Sequence, residues 1–212
     1  MAEILIYDEI MPKGFWGVST DTIMQALEEN KTGEQVVRIN SPGGDVVEAI
    51  AMYNALRRWE GKIVVEIDSR AASAASLLAM AGDEIRIAEN AEMMLHEPYI
   101  FAAVNYNGIE FLGERLSDYR NRTADMYAAR SGRTRDEILG VYNDWDGTYF
   151  DAQEAVEFGL ADSIGQKLNV QAKTECRAWQ LNGREAPDPK PAASVLAEMR
   201  HKERDLELMR LR

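Results

Sequence analysis

Histidine, cysteine and basic charge are all scarce in this 212-residue chain, and each scarcity narrows its chemistry. Only two histidines occur, His96 and His201, and the second lies in a charged C-terminal stretch. A general base with a near-neutral pKa in the main body is therefore His96 or is absent. The single cysteine, Cys176, cannot form an intrachain disulfide, so nothing asks for an oxidising compartment. It also lies beyond the patterned region, which disfavours it as a nucleophile. One cysteine and two distant histidines are too few for a zinc site, so no metal is expected. Lys and Arg number 24 against 36 Asp and Glu, a net charge of −12. That balance disfavours nucleic acid or an anionic membrane as a partner, because both reward a basic face. No apolar run approaches the roughly 18 residues that a membrane helix needs. Met1 to Asp8 lacks a basic segment followed by an apolar one, so no signal peptide is expected and the cytoplasm is the expected location.

What is present is an alternation of strand and helix signals. Ile4–Tyr7, Val36–Ile39, Ile63–Ile67, Glu84–Ala88 and Met93–Leu95 read as strands. Ser19, Thr20 and Asp21 supply caps for a helix through Ile23 and Leu27, and Asp45 can cap one through Ala49, Ile50, Tyr53 and Leu56. Ser73–Ala81 reads as a buried helix, and Gly108–Arg130 is the longest helical stretch, with Ile109, Leu112, Leu116, Tyr119, Thr123, Met126 and Tyr127 along one side. Thr134 with Glu137 resembles a capping box, and Ala152–Phe158 is a last short helix closed by Gly159. Such alternation predicts an α/β layered domain with parallel strands and crossover helices over residues 1–165. An extension with a Pro-rich linker follows over 166–192, marked by Pro187, Pro189 and Pro191. Residues 193–212 read as a charged C-terminal helix.

Two turns of small residues stand out. Asn40-Ser41-Pro42-Gly43-Gly44-Asp45 takes a strand into a helix, and Ala71-Ala72-Ser73-Ala74-Ala75-Ser76 does the same about thirty residues later. A glycine pair before a helix is first of all a tight turn. It also allows a backbone N–H to approach a ligand. The full glycine fingerprint of a dinucleotide site is missing, and no Walker lysine follows, so no nucleotide cofactor is expected. Ser73 at a helix start is first of all an N-cap. The same position suits a nucleophile, because helix N–H groups and the dipole favour a developing oxyanion. Ser69 and Ser76 compete with it on composition alone. His96 ends a strand just before Glu97-Pro98, at the carboxyl edge where α/β active sites collect.

Four segments occur in order: Asn40 to Gly44, Ala71 to Gly82, Met94 to Pro98, and Ala152 to Asp162. Together they resemble the Clp protease proteolytic subunit family over roughly Ile4 to Ile164. The resemblance implies a crotonase-like α/β fold that stacks into homo-oligomeric rings. It implies Ser73 as nucleophile, His96 as base, and an oxyanion hole from the backbone N–H groups of Gly44 and Ala74. Strict alignment places Gly147 where the family carries its third catalytic residue, so Asp146 is the first choice for that acid and Asp144 the second. The family's Ser-Met-Gly is Ser73-Ala74-Ala75 here, and the N-terminal extension that gates an ATPase partner in housekeeping members is not expected. The Ile4–Trp16 stretch and the tail resemble the phage and prophage branch, whose members cleave scaffold and capsid proteins in a prohead. The expected substrate is therefore a polypeptide, in a host cytoplasm or prohead interior, with an ATPase partner left open. Two alternatives use the same fold: a non-catalytic assembly or scaffold subunit, and a crotonase-like acyl-CoA enzyme, for which Ser73 and His96 would be coincidences.

Overall fold

A computed structural model describes residues 3–30, 32–103, 105–142 and 147–165. The extension over 166–192, the charged segment 193–212, Cys176 and His201 lie outside them, as do both candidate acids, Asp144 and Asp146.

β-Branched runs form the centre of the sheet. Strands β1 (Glu3–Ile6), β2 (Gln35–Ser41), β3 (Ile63–Ala72), β4 (Glu84–Ile87) and β7 (Ser163–Ile164) lie side by side in that order, all parallel. Alternation decides which face is dry. Ile4 and Ile6 of β1 and Val37 and Ile39 of β2 are buried, whereas Glu3, Leu5 and Asn40 are exposed. The polar face carries a charge ladder: Arg38 pairs with Glu66 at 2.6 Å and also with Asp68, and Lys62 reaches Glu84 at 2.5 Å. Pairs this exposed add little stability each. Their regular spacing keeps that face wet and the register single.

Helices α1 (Thr20–Asn30) and α2 (Val46–Arg57) pack on each other, and α2 packs on α3 (Ala74–Ala79). Asp45 caps α2 by accepting from Glu48 N–H at 2.7 Å, as its position predicts. Glu48 accepts in turn from Thr20 N–H at 2.6 Å, tying the starts of two helices together. α5 (Arg135–Val141) carries the Thr134–Glu137 capping box, and α6 (Ala152–Phe158) carries a second one from Asp151 and Glu154. Gly159 closes α6 in the left-handed conformation at φ 90°.

Three local expectations are revised, and one strand is added. β3 does not stop at Ile67 but continues to Ala72, so Arg70-Ala71-Ala72 is strand rather than turn. The register explains this, because Arg70–Ala72 pair with a new parallel neighbour, β5 (Glu92–Leu95), after β4 has ended. α3 is correspondingly shorter than Ser73–Ala81. The aromatic segment before α6 is a strand, β6 (Thr148–Asp151), antiparallel to β5. In α4 (Tyr106–Ser131) only Thr123, Ala124 and Tyr127 are buried, all in its second half, while Ile109 and Phe111 at its start are exposed. The apolar line along this helix is therefore buried over its last turns alone.

Among the described residues no helix is long and apolar enough to cross a membrane. The core is continuous from β1 to α6, and Leu78 sits in it fully buried. Replacement of Leu78 by Ala is expected to cost about 2–5 kcal/mol through lost transfer energy and a residual cavity, read as a lowered midpoint in chemical denaturation.

Candidate functional site

The site begins where β3 ends. The chain leaves Ala72, turns through Ser73 at φ 54° and ψ −126°, and enters α3 at Ala74. Ser73 is the one non-glycine residue among those described with a left-handed φ. Ser73 N–H donates to the Met94 carbonyl of β5 at 2.9 Å, and its own carbonyl accepts from Ser76 and Leu77 N–H at 3.0 and 3.2 Å. The elbow is thus fixed on the strand side and on the helix side. Ser73 forms no side-chain cap on α3, so its hydroxyl is not used as an N-cap. It lies instead 2.6 Å from His96 Nε2. Ser69 is exposed and Ser76 is buried among other partners, so of the three serines Ser73 is the one in contact with His96.

Small residues matter at this corner because another piece of backbone presses on it. Gly43 has φ 92°, and a Cβ built there would lie 2.5 Å from Ala72 O, 2.8 Å from Ala74 N and 2.9 Å from Ser73 Cβ. The two small-residue turns are therefore in direct contact. Gly44, at φ 144°, is as tightly bounded on its other side, 2.2 Å from Ile10 O by the same construction. Ile10 straps the turn through Ile10 N–H to Gly43 O and Asp45 N–H to Ile10 O, both 2.8 Å. Gly43 N–H donates to the Ser41 hydroxyl at 3.1 Å. Among the described residues the N–H groups of Gly44 and Ala74 have no acceptor.

His96 follows Leu95, the buried last residue of β5. Burial holds its pKa below the ordinary range, and the Glu97 carboxylate pulls weakly the other way. Glu97 is itself engaged by Arg120 at 2.9 Å. The Tyr99 ring lies 5.4 Å from the imidazole. Gly147, at φ 81°, packs against the end of β5; a Cβ there would sit 2.9 Å from Leu95 O and 3.1 Å from His96 Cβ. The residue that strict alignment assigns to the third member thus abuts the histidine and has no side chain to offer. Among the described residues no three His, Cys, Asp or Glu side chains gather as metal ligands.

One part of the site is not legible from pattern. Ser76 is fully buried, and its Oγ lies 2.7 Å from Ser73 O, 2.8 Å from Met94 O and 2.8 Å from the Tyr127 hydroxyl. A serine inside an apolar helix is the only trace of this network in the sequence.

The arrangement defines an α/β protein with a Ser–His couple on a strand-to-helix elbow. The family model described as Clp protease matches residues 3–168, and the chain belongs to that family. It is similar to the ATP-dependent Clp protease proteolytic subunit 1 of Streptomyces coelicolor, 32% identical over 128 residues, which are 59% of this chain and 58% of the relative. It is also similar to the ATP-dependent Clp protease proteolytic subunit 2 of Tropheryma whipplei, 30% identical over 130 residues, 59% of this chain and 70% of the relative. The match to the Streptomyces protein thus spans well under two thirds of that relative's length.

Because burial depresses the His96 pKa, the unfolded chain takes up this proton first as pH falls. Native stability is therefore expected to decline as pH drops from the ordinary histidine value of about 6.5 toward the lower native one. Histidine-selective NMR titration checks it. The His96 resonance should show a midpoint below that of an unfolded-peptide reference, and an equal or higher midpoint contradicts the environment described.

Proposed function

We propose that the protein is a serine endopeptidase in which Ser73 is the nucleophile and His96 the general base. The 2.6 Å contact between Ser73 Oγ and His96 Nε2, on a strained elbow, carries this reading. His96 removes the Ser73 proton as the oxygen attacks a peptide carbonyl carbon. The resulting oxyanion is met by the N–H groups of Gly44 and Ala74, which have no acceptor of their own among the described residues. His96 then passes the proton to the leaving amine, and water releases the acyl group by the reverse sequence. A depressed histidine pKa suits the role, since the imidazole stays neutral and able to accept. Asp146 is the proposed third member, with Asp144 second; Gly147, the residue that follows Asp146 in the chain, packs against His96. If neither acid serves, the couple acts as a dyad.

The substrate is a polypeptide, and the working form is a homo-oligomeric ring. Its setting in capsid maturation, with scaffold or capsid proteins as substrates, rests on the resemblance of Ile4–Trp16 and the tail to the phage branch. Partnership with an ATPase is the second reading, favoured by the names of the relatives. The two separate on whether unfolded protein substrates are degraded only with an ATPase present.

A fluorophosphonate probe is expected to label the protein once per chain, with labelling lost in Ser73→Ala and the intact mass reporting any self-cleavage that disappears with it. Labelling that persists in Ser73→Ala removes the serine from its role, and an oligomer that never labels favours the non-catalytic assembly subunit.

The acid is tested separately. Asp146→Asn is expected to lower kcat by on the order of 10²–10⁴ while Asp144→Asn stays near wild type. The reverse ranking transfers the role to Asp144.

A further inference from the structure

We propose that Ser76 and Tyr127 form a buried clamp that sets Ser73 against His96, acting as positioning residues for the nucleophile. This rests on the reading of Ser73 and His96 as the reacting pair. Ser76 lies in α3 among residues that are otherwise apolar, fully removed from solvent. A hydroxyl there is costly unless it is bonded. It has three oxygen neighbours: Ser73 O at 2.7 Å, Met94 O at 2.8 Å and Tyr127 Oη at 2.8 Å.

Proton counting orders the network. Each hydroxyl has one proton to give. Tyr127 is buried, and burial pushes its phenol well above the usual range, so it remains a donor. Its nearest acceptor is Ser76 Oγ; the alternative, Ser73 O, is farther at 3.4 Å. With Tyr127 donating, the Ser76 proton goes to one of the two carbonyls. One belongs to Ser73 itself. The other, Met94 O, already accepts Ser73 N–H and lies two residues before His96 on β5. The two hydroxyls therefore join the backbone of the nucleophile, the strand that presents the base, and helix α4.

The phenol is aimed by its own surroundings. The Tyr127 ring packs edge-on against Tyr142 with centroids 6.3 Å apart, and Tyr142 is anchored by its hydroxyl to Thr123 Oγ1 at 3.1 Å. Nothing in helix formation asks for these hydroxyls. Alanine would extend α3 as well as serine, and phenylalanine at 127 would keep the ring contact. What the hydroxyls add is a fixed distance between two turns of backbone.

Ser76→Ala, Tyr127→Phe and the double variant test this in the full chain, by fluorophosphonate labelling rate, kcat and KM on a fluorogenic peptide, and a crystal structure of each. In Ser76→Ala the labelling rate and kcat are expected to fall about ten-fold or more with KM within about two-fold, because a small misplacement of the attacking atom slows chemistry without weakening binding. Tyr127→Phe should move the same quantities in the same direction. The double variant should lose no more than the larger single loss, since both act through one network. In the structures Ser73 Oγ and His96 Nε2 should separate beyond hydrogen-bond reach. Variant structures that keep the 2.6 Å contact overturn the clamp, whether or not the protein hydrolyses anything. A rise in KM with kcat unchanged overturns it as well. A wild type that never labels, with variants whose Ser73–His96 contact is lost, supports the clamp while overturning the enzymatic reading.

Discussion

A left-handed backbone at a non-glycine residue costs on the order of 1–3 kcal/mol and persists only where its surroundings impose it. Ser73 is held in that state by Met94 O on one side and by the first turn of α3 on the other. The hold depends on β3 outrunning β4 and pairing, in its last three residues, with β5. Without that second pairing there is no carbonyl for Ser73 N–H. Without β5 in register there is also no reason for His96 to arrive at Ser73. One strand changing partners thus fixes the conformation of one residue and the position of the other.

The small residues around the elbow follow from the same geometry. The backbone of Gly43 lies where any side chain would strike Ala72 O or Ala74 N, and Gly44 is as tightly bounded by Ile10. The Pro42-Gly43-Gly44 turn is thereby pressed against the start of α3, leaving two N–H groups, those of Gly44 and Ala74, without acceptors among the described residues. Alanines at 71, 72, 74 and 75 are all buried, so larger groups there would overpack the core around the elbow. Composition here reflects the distance between two backbones more than any helix or strand preference.

Around this corner the two faces of the sheet have separate tasks. The wet face carries ion pairs from Glu3 across to Arg86 and contributes register. The dry face packs the helices and supports α3, whose buried Leu77 and Leu78 anchor the elbow in the core. His96 sits at the end of a buried strand, near enough to apolar surroundings to be kept neutral.

Much of this was open to inspection in the chain itself. The Asp45 cap, the Thr134–Glu137 box and the Gly159 stop are local signals, each acting within a turn of helix, and each is found where its pattern puts it. His96 as the one histidine of the main body needed only counting. The family resemblance named Ser73 over Ser69 and Ser76, whereas composition did not, because the three serines lie within eight residues. The pairing of Ala71 with Met93 and Ala72 with Met94 sets residues 73 and 96 side by side across 23 positions of sequence, a contact that no local pattern shows. The burial of only the last turns of α4, and the union of Ser76 with Tyr127, were likewise decided by tertiary packing. Periodicity marks which face of a helix is apolar, but only the neighbours that arrive in three dimensions determine how much of it is covered and which hydroxyls meet there.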